Sequence, residues 1–430
     1  MLELNKIYNQ DCIEGMKLLE DNSVDAIVTD PPYGLSFMGK KWDYDIPSIE
    51  VWKEALRVLK PGGYLLSFAG TRTQHRMAAR IEDAGFEIRD MIAWVYGSGF
   101  PKSLNIGKAV DKLQGNERDK IGYQRRGNSV NTDFMSGGND ITSGTSEWEG
   151  WGTALKPALE PITVARKPLS EKTVAENCLK YGTGGINIDD CRVDFQSKED
   201  YDESVNKNRH GDFNSNNGIR VPTKGIYSGD NRPPVNYEPQ GRFPANLIHD
   251  GSEEVTNLFP DTKSQGHWSK TKTTGFGEFG NGKSEYFGVG EKDKLGGSAS
   301  RFFYCAKASS SERNNGCDEL EEQVLVRQGL AGEHKNPTHK NNHPTVKPLK
   351  LMQYLVRLVT RKGGVVLDPF MGSGTTAVAC KFEEMNFIGF ERENDYANIA
   401  KERVENYLSE YEIESYEDSK KVVLKQQRWF

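Results

Sequence analysis

The sequence predicts an α/β fold with a doubly wound, mostly parallel sheet. At both ends of the chain, apolar runs of strand length alternate with helical patterns, the signature of parallel pairing through helical crossovers. Those runs are continuously apolar, not alternating, which fits strands covered on both faces. Between the two ends lie long stretches rich in Gly, Asn, Ser and charge, so the sheet is expected to be assembled from the two ends.

The elements follow in order. Lys6 to Asp11 reads as a short strand and Ile13 to Leu19 as a helix. Asp25 to Thr29 (DAIVT) is an apolar strand stopped by Asp30-Pro31-Pro32. Ser48 caps a helix over SIEVWKEALRVL, and Gly62-Gly63 is expected to end it. Tyr64 to Phe68 is a buried strand, Thr73 to Asp83 a helix closed by Gly85, and Phe86 to Tyr96 strand-like again. At the far end, Leu349 to Thr360 is an amphipathic helix broken by Gly363-Gly364. Val365 to Leu367 is a strand, Thr375 to Phe382 a helix, Phe387 to Phe390 a strand and Asp395 to Leu408 a helix. The middle, from about 114 to 152 and from about 198 to 300, seldom buries enough apolar area to order itself. Three islands in or beside it have packing potential: Leu159 to Ala165, Arg242 to His249 and Arg301 to Ala306. No repeat of fixed period is present. The last segment, SKKVVLKQQRWF, is basic.

The bulk properties bound the function. A chain of 430 residues allows two to three domains. It has no apolar run of about 18 residues and no basic-then-apolar leader, so a cytoplasmic protein without a membrane contact is expected. Six cysteines stand far apart without a CxxC. A zinc site from Cys178, Cys191, Cys305 and Cys317 would have the wrong spacing, so no metal is expected and the thiols read as reduced. The net charge of -6 is unfavourable for nucleic acid on average. A local groove needs only that Lys and Arg gather on one face.

The chemistry concentrates in two clusters. Asp30-Pro31-Pro32-Tyr33 ends a buried strand, where ligand crevices form in doubly wound sheets. The prolines remove two backbone donors. That leaves carbonyls, one carboxylate and one aromatic ring, an acceptor-rich corner suited to a flat molecule bearing an amino group. A plain strand-to-loop turn explains the same residues about as well when they are taken alone. The second cluster, Val366-Leu367-Asp368-Pro369-Phe370-Met371-Gly372-Ser373-Gly374-Thr375-Thr376, is strand, glycine loop and helix. Its glycines admit close approach of a ligand, and the helix N-terminus offers free N–H groups to an anion. Glu391 ends the next strand, where a carboxylate grips ribose hydroxyls in dinucleotide-type folds. The loop lacks the third glycine of a dinucleotide fingerprint and the lysine of a P-loop, which disfavours NAD and ATP.

Together the clusters resemble the adenine-N6/cytosine-N4 DNA amino-methyltransferases. DPPY matches the family's (D/N/S)PP(Y/F/W) motif, FMGSG its FxGxG loop, and His343-Pro344-Thr345-Val346-Lys347-Pro348 its HPTxKP stretch. The resemblance covers about the first hundred and the last ninety residues. With DPPY first and FMGSG last, the order resembles the family's permuted β type. It implies the seven-stranded sheet of S-adenosylmethionine-dependent methyltransferases. Residues 1–170 would form the catalytic half, with a polar insert near 112–152. Residues 171–335 would form the target-recognition region and 336–430 the cofactor half. The strand near Lys6 would then neighbour the strand carrying Glu391. That would set Asp11 at the crevice, near the cofactor adenine; a helix cap explains Asp11 nearly as well.

The resemblance further implies transfer of a methyl group from S-adenosylmethionine to adenine N6 in double-stranded DNA. The base would flip out at a cost of about a few kcal/mol. Stacking on Tyr33 would recover on the order of 1–3 kcal/mol. Asp30 and the Pro31 carbonyl would accept the two amino hydrogens, with Pro32 shaping the turn. In the implied cofactor set, Gly372, Ser373, Gly374 and Thr375 face the methionine end and Phe370 packs on the cofactor. Glu391 takes the ribose, with Arg392 beside it. Asp30, Asp368, Thr345 and Lys347 complete the set, the last two at the carboxylate. Lys102, Arg118, Lys120, Arg125 and Arg126 are the candidate DNA contacts, with Arg166 and Lys167 behind them; each is also explained as a solvated charged face. Trp268 and GFGEFGNGKSEYF are candidates for touching bases. Cytosine N4 is the alternative target, since Asp only leans toward N6, and a non-catalytic DNA-binding module is the alternative of another class. A homodimer and a cognate restriction endonuclease are compatible partners.

Overall fold

Nine strands form one sheet in the computed structural model, which describes residues 2–35, 43–97, 99, 103–124, 139–198, 200–202, 204, 240–262, 297–306, 312–321, 323–324 and 338–407. In chain order they are β1 (Lys6–Asn9), β2 (Val24–Thr29), β3 (Leu59–Phe68), β4 (Glu87–Val95), β5 (Leu159–Arg166), β6 (Leu247–His249), β7 (Tyr304–Cys305), β8 (Val365–Asp368) and β9 (Asn386–Glu391). Their spatial order is β1-β9-β8-β2-β3-β5-β4-β6-β7. The first five run parallel, and β5 runs antiparallel to β3.

The two chain ends interleave, as the family resemblance implies. β1 pairs with β9, setting Asn9 opposite Glu391, and β8 lies between β9 and β2. The helices are α1 (Cys12–Met16), α2 (Ile49–Val58), α3 (Gln74–Asp83), α4 (Ile106–Gln114), α5 (Val174–Tyr181), α6 (Leu349–Val359), α7 (Thr375–Phe382) and α8 (Asn394–Asn406), besides a single turn over Glu253–Thr256. Every residue of β2 is buried, the result of helices on both sides of a parallel sheet. Trp52, Leu59, Leu65, Met77 and Ile81 pack with Ile27, Leu367, Ile388 and Phe390 into one core.

Two expectations change. Seven strands become nine because β6 and β7, of three and two residues, extend the sheet beyond β4. They come from the central region and cover backbone groups that an edge strand leaves open. Gly62-Gly63 does not end α2. That helix stops at Val58, and β3 starts at Leu59 and runs through both glycines. Gly62 takes φ +78°, and the pairing steps from Val24 opposite Leu59 to Ala26 opposite Tyr64, so the glycines form a bulge.

The chain divides into two compact units: Met1–Val95 with Glu160–Phe430, and Tyr96–Leu159. The described part of residues 171–335 contributes α5, β6 and β7 to the larger unit. The smaller unit contains α4 and a hairpin pairing Asp119–Gln124 with Asn139–Ser143. Among the described residues no helix is long and apolar enough to cross a membrane.

Candidate active site at the carboxyl ends of the parallel strands

Four adjacent parallel strands end at one edge of the sheet, and each delivers a candidate residue there. Asp11 follows β1, Glu391 ends β9, the loop 369–374 follows β8 and Asp30 follows β2. The tie between the last two is a buried carboxylate. Asp368 Oδ1 accepts from the Thr29 hydroxyl at 2.6 Å and from the Phe370 N–H at 3.0 Å; Oδ2 accepts from the Thr376 hydroxyl at 2.6 Å. Burial raises the Asp368 carboxyl to about 6, against the lowering effect of these hydrogen bonds. With both oxygens engaged and the side chain sealed, Asp368 braces the loop from behind.

The Asp30–Tyr33 turn is fixed on all sides. Asp43 accepts from the N–H groups of Tyr33 at 2.7 Å, Gly34 at 2.9 Å and Leu35 at 3.2 Å. The Thr73 hydroxyl donates to the Tyr33 carbonyl at 2.7 Å. Among the described residues no donor meets the Pro31 carbonyl, which stays available as the prolines suggest. The Tyr33 hydroxyl lies 2.7 Å from Asp30 Oδ1 and 3.1 Å from Glu160 Oε2. Lys347 Nζ lies 2.6 Å from Asp30 Oδ2 and 3.3 Å from Glu160 Oε2. That ammonium also sits 4.9 Å above the Phe68 ring and 5.5 Å from the Tyr33 ring.

Electrostatics follow from this packing. Burial alone would push the Lys347 ammonium down; Asp30 and then Glu160 outweigh it and hold it above the usual lysine value. Burial, then the same two carboxylates, pushes the Tyr33 hydroxyl well up, so it stays a neutral donor. His343 is held at about 4 by burial and is therefore a neutral imidazole. Its Nδ1 lies 2.9 Å from the Thr345 carbonyl, and its ring meets Tyr396 edge-on at 4.6 Å.

The glycine loop has the features of a cradle for an anion-bearing ligand. Gly372 and Gly374 take φ +55° and +83°. A side chain at Gly372 would meet the His343 ring, and one at Gly374 the backbone of Ala400. The first-turn N–H groups of α7 lack intrahelical partners, and Gly374 caps them with no side-chain acceptor. Ser373 and Thr375 are buried, and Arg403 Nη1 donates to the Ser373 carbonyl at 2.7 Å, the Ser373 hydroxyl at 3.0 Å and the Thr375 hydroxyl at 3.1 Å. Glu391 accepts from the N–H groups of Gly372 and Glu393, each at 2.8 Å. Burial raises its carboxyl to about 7. Phe370 is half-buried against Trp52. A nucleoside with a carboxylate-bearing tail fits this set: N–H donors at one end and a half-buried acceptor, Glu391, at the other.

The other predicted residues have these partners. Asp11 caps α1, accepting from Ile13 N at 2.9 Å and Glu14 N at 3.4 Å. Arg392 is exposed beside Glu393 at 3.4 Å. Thr345 is half-buried and gives its carbonyl to His343. Arg118 is an internal tie of the smaller unit: it pairs with Asp111 and Glu149, with Asp111 fully buried. Lys120 is exposed and pairs with Asp140 at 2.7 Å. Arg166 is bound to Glu87 at 2.6 Å, and Lys167 donates to Asn22 at 2.7 Å and Leu59 O at 2.8 Å. Lys102, Arg125, Arg126, Trp268 and the GFGEFGNGKSEYF stretch lie outside the described residues.

Sequence reasoning missed Glu160, Asp43 and Arg403. Glu160 had one signal: an acid inside the Leu159 to Ala165 stretch, which had packing potential. Its meaning depends on the direction of β5, which composition does not encode.

The family model for DNA methylases that act at N6 or N4 matches residues 24–402. A type II methyltransferase of Haemophilus influenzae, M.HindIII, is 22% identical over 93% of this chain and 94% of its own. M.BglI, a type II methyltransferase of Bacillus subtilis, is 49% identical over 67 residues, 16% of this chain and 19% of its own. Among solved structures, the M1.HpyAVI–SAM complex is 17% identical with a TM-score of 0.38, covering 93% of this chain and 98% of that one. The cytosine-N4-specific PvuII DNA methyltransferase is 14% identical with a TM-score of 0.41, covering 96% and 92%. The family match spans most of the chain and includes both site clusters, so this protein belongs to the N6/N4 DNA methylase family.

Proposed function

We propose that the protein transfers a methyl group from S-adenosylmethionine to adenine N6 at a defined site in double-stranded DNA. The observation that carries this is the juxtaposition of Asp30 and the glycine loop on adjacent strand ends, joined through the Thr29–Asp368 hydrogen bond. An acceptor-rich corner for an amino group lies next to a cradle for a nucleoside with an anionic tail. Asp at the head of the motif supports adenine over cytosine, by the family resemblance.

S-adenosylmethionine supplies an electrophilic methyl group on a sulfonium. Gly372, Ser373, Gly374 and Thr375 would hold its carboxylate, Glu391 would take its ribose, and Phe370 would pack against it. The flipped base stacks on Tyr33. Its amino hydrogens go to Asp30 and the Pro31 carbonyl, which turns the nitrogen lone pair toward the methyl. Positive charge grows on that nitrogen as it takes the methyl, and Asp30 stabilises it. Alignment contributes the rest. Target reading falls to the smaller unit and residues 171–335, with Lys120 the described candidate for a phosphate contact. A homodimer and a partner endonuclease are compatible with this reading.

The test is mass spectrometry of nucleosides from plasmid DNA incubated with the protein and isotope-labelled S-adenosylmethionine. Labelled N6-methyladenine is expected. Labelled N4-methylcytosine would reverse the base assignment, and no labelled nucleoside would refute the reading.

A further inference from the structure

We propose that Glu160 is the terminal acceptor of the proton released in the reaction, reached from Asp30 through the Tyr33 hydroxyl. This rests on the proposed role of Asp30.

The inference starts from charge and proton counting. Asp30, Glu160 and Lys347 form a cluster with two anions and one cation, bridged by a neutral phenol. One hydroxyl carries one proton, yet the Tyr33 oxygen lies within hydrogen-bond distance of both carboxylates, at 2.7 and 3.1 Å. The chain Asp30–Tyr33–Glu160 thus has two oxygen–oxygen contacts and one proton of its own. It has a place for one more proton, and taking that proton brings the cluster to neutrality.

The reaction releases one proton per turnover. The amino nitrogen bonds to the methyl carbon while the carbon–sulfur bond breaks with its electron pair on sulfur. Positive charge builds on the nitrogen as that bond forms, and one amino proton leaves in the same transition state, giving a neutral methylated amine. Asp30, already accepting an amino hydrogen, takes that proton. Asp30 then gives a proton to the Tyr33 oxygen as Tyr33 gives its own to Glu160. Asp30 returns to the carboxylate, Tyr33 stays neutral and Glu160 ends protonated. Glu160 keeps 20% of its side-chain surface, a route by which the proton reaches water. Lys347, in reach of both carboxylates, follows the remaining negative charge without leaving its place above Phe68.

Position is specific to this task. Because β5 runs antiparallel to β3, its first residues lie at the edge where the parallel strands end. The Ala69 N–H donates to Pro161 O at 3.0 Å, which fixes the backbone next to Glu160. The titratable and charged groups around this chain include Asp30, Tyr33 and Asp43 on the turn, Asp368 at the end of β8, and His343 and Lys347 on the stretch before α6, with Arg313 donating to the His343 carbonyl. His343 is neutral, so Lys347 is the balancing cation.

Glu160 touches the reacting atoms only through Tyr33, so the test needs a readout that misplacement of Tyr33 would not move. It is the pH profile of single-turnover methyl transfer to DNA with saturating S-adenosylmethionine, for the parent, Glu160→Gln and Glu160→Asp. Gln keeps the shape and a contact to Tyr33 but removes the acceptor and one charge. The expected result is a plateau rate about ten- to a hundred-fold lower in Glu160→Gln, in the range of a lost acid–base group. Its low-pH fall in rate should move to lower pH, because one carboxylate no longer shares the cluster's proton. Glu160→Asp should regain part of the plateau, and S-adenosylmethionine affinity should stay within about two-fold. A lowered plateau with an unmoved pH profile would show a positioning effect alone and overturn the relay, as would an unchanged plateau. Absence of transfer by the parent protein would overturn both the relay and the reading of Asp30 on which it rests.

Discussion

Replacing Lys347 with methionine should destabilise the larger unit by about 3 kcal/mol. Lys347 is 8% exposed, with its ammonium 2.6 Å from Asp30 and 3.3 Å from Glu160. Removing one partner of a buried ion pair costs roughly 3–5 kcal/mol, because the remaining charge is left in a poor dielectric. Here two carboxylates are left, which raises the cost. Both keep about a fifth of their surface, and the Tyr33 hydroxyl still donates to one of them, which lowers it. Methionine fills most of the volume beside Phe68, so the cavity contribution is small. The lower end of the range results.

The assay is urea unfolding, read as a shift in midpoint at constant slope. Adding Glu160→Gln to Lys347→Met should recover about half the loss, since one carboxylate is then neutral; this coupling is what a double-mutant cycle isolates. For the parent, the folded lysine is raised above its model value of 10.5. Its contribution is therefore fully present below that value and lost only as pH rises through the folded one. The reasoning is refuted if Lys347→Met unfolds like the parent, or if the double variant loses the sum of the single losses.

Other outcomes follow from the same geometry. Asp30→Ala should lower single-turnover methyl transfer by about 10²–10³-fold, the scale of losing one electrostatic partner of the transition state, while calorimetry finds S-adenosylmethionine still bound. The Asp368 carboxyl is raised from 3.8 to about 6, so its contribution to stability is fully present below about 3.8 and lost as pH rises toward 6. Asp368→Asn should flatten urea stability across that window at a cost of about 1 kcal/mol for impaired hydrogen bonds. Glu391 is raised to about 7, so S-adenosylmethionine affinity measured by calorimetry should fall as pH drops through 7, and Glu391→Gln should remove that dependence. Lys120→Ala should reduce the slope of log DNA affinity against log salt by about 1. Arg118→Ala should instead unfold the smaller unit in hydrogen exchange, because it strands the buried Asp111 carboxylate.

The fold was legible because its signals are local. Continuous apolar runs such as Val24–Thr29 and Val365–Asp368 must be buried on both faces, and each ends in punctuation the sequence displays: Asp30-Pro31-Pro32 after one and a glycine loop after the other. The pairing of β1 with β9, which sets Asn9 opposite Glu391, was legible only through the family resemblance and its permuted motif order. Local chemistry also made the helix-cap contacts of Asp11 legible, since a carboxylate before a short helix meets the first free N–H groups.

What only the tertiary structure decided depends on direction and on distant charges. The same residues Leu159–Arg166 would make a strand in either orientation; antiparallel pairing with β3 is what turns Glu160 to the active edge. Lys347 belongs to Asp30 and Glu160 because the stretch before α6 crosses that edge, 317 residues from Asp30. Arg118 became an internal tie once Asp111 and Glu149 closed around it. A sequence displays which groups carry charge. Which charges meet, and how far burial lets them go unscreened, is set by long-range packing alone.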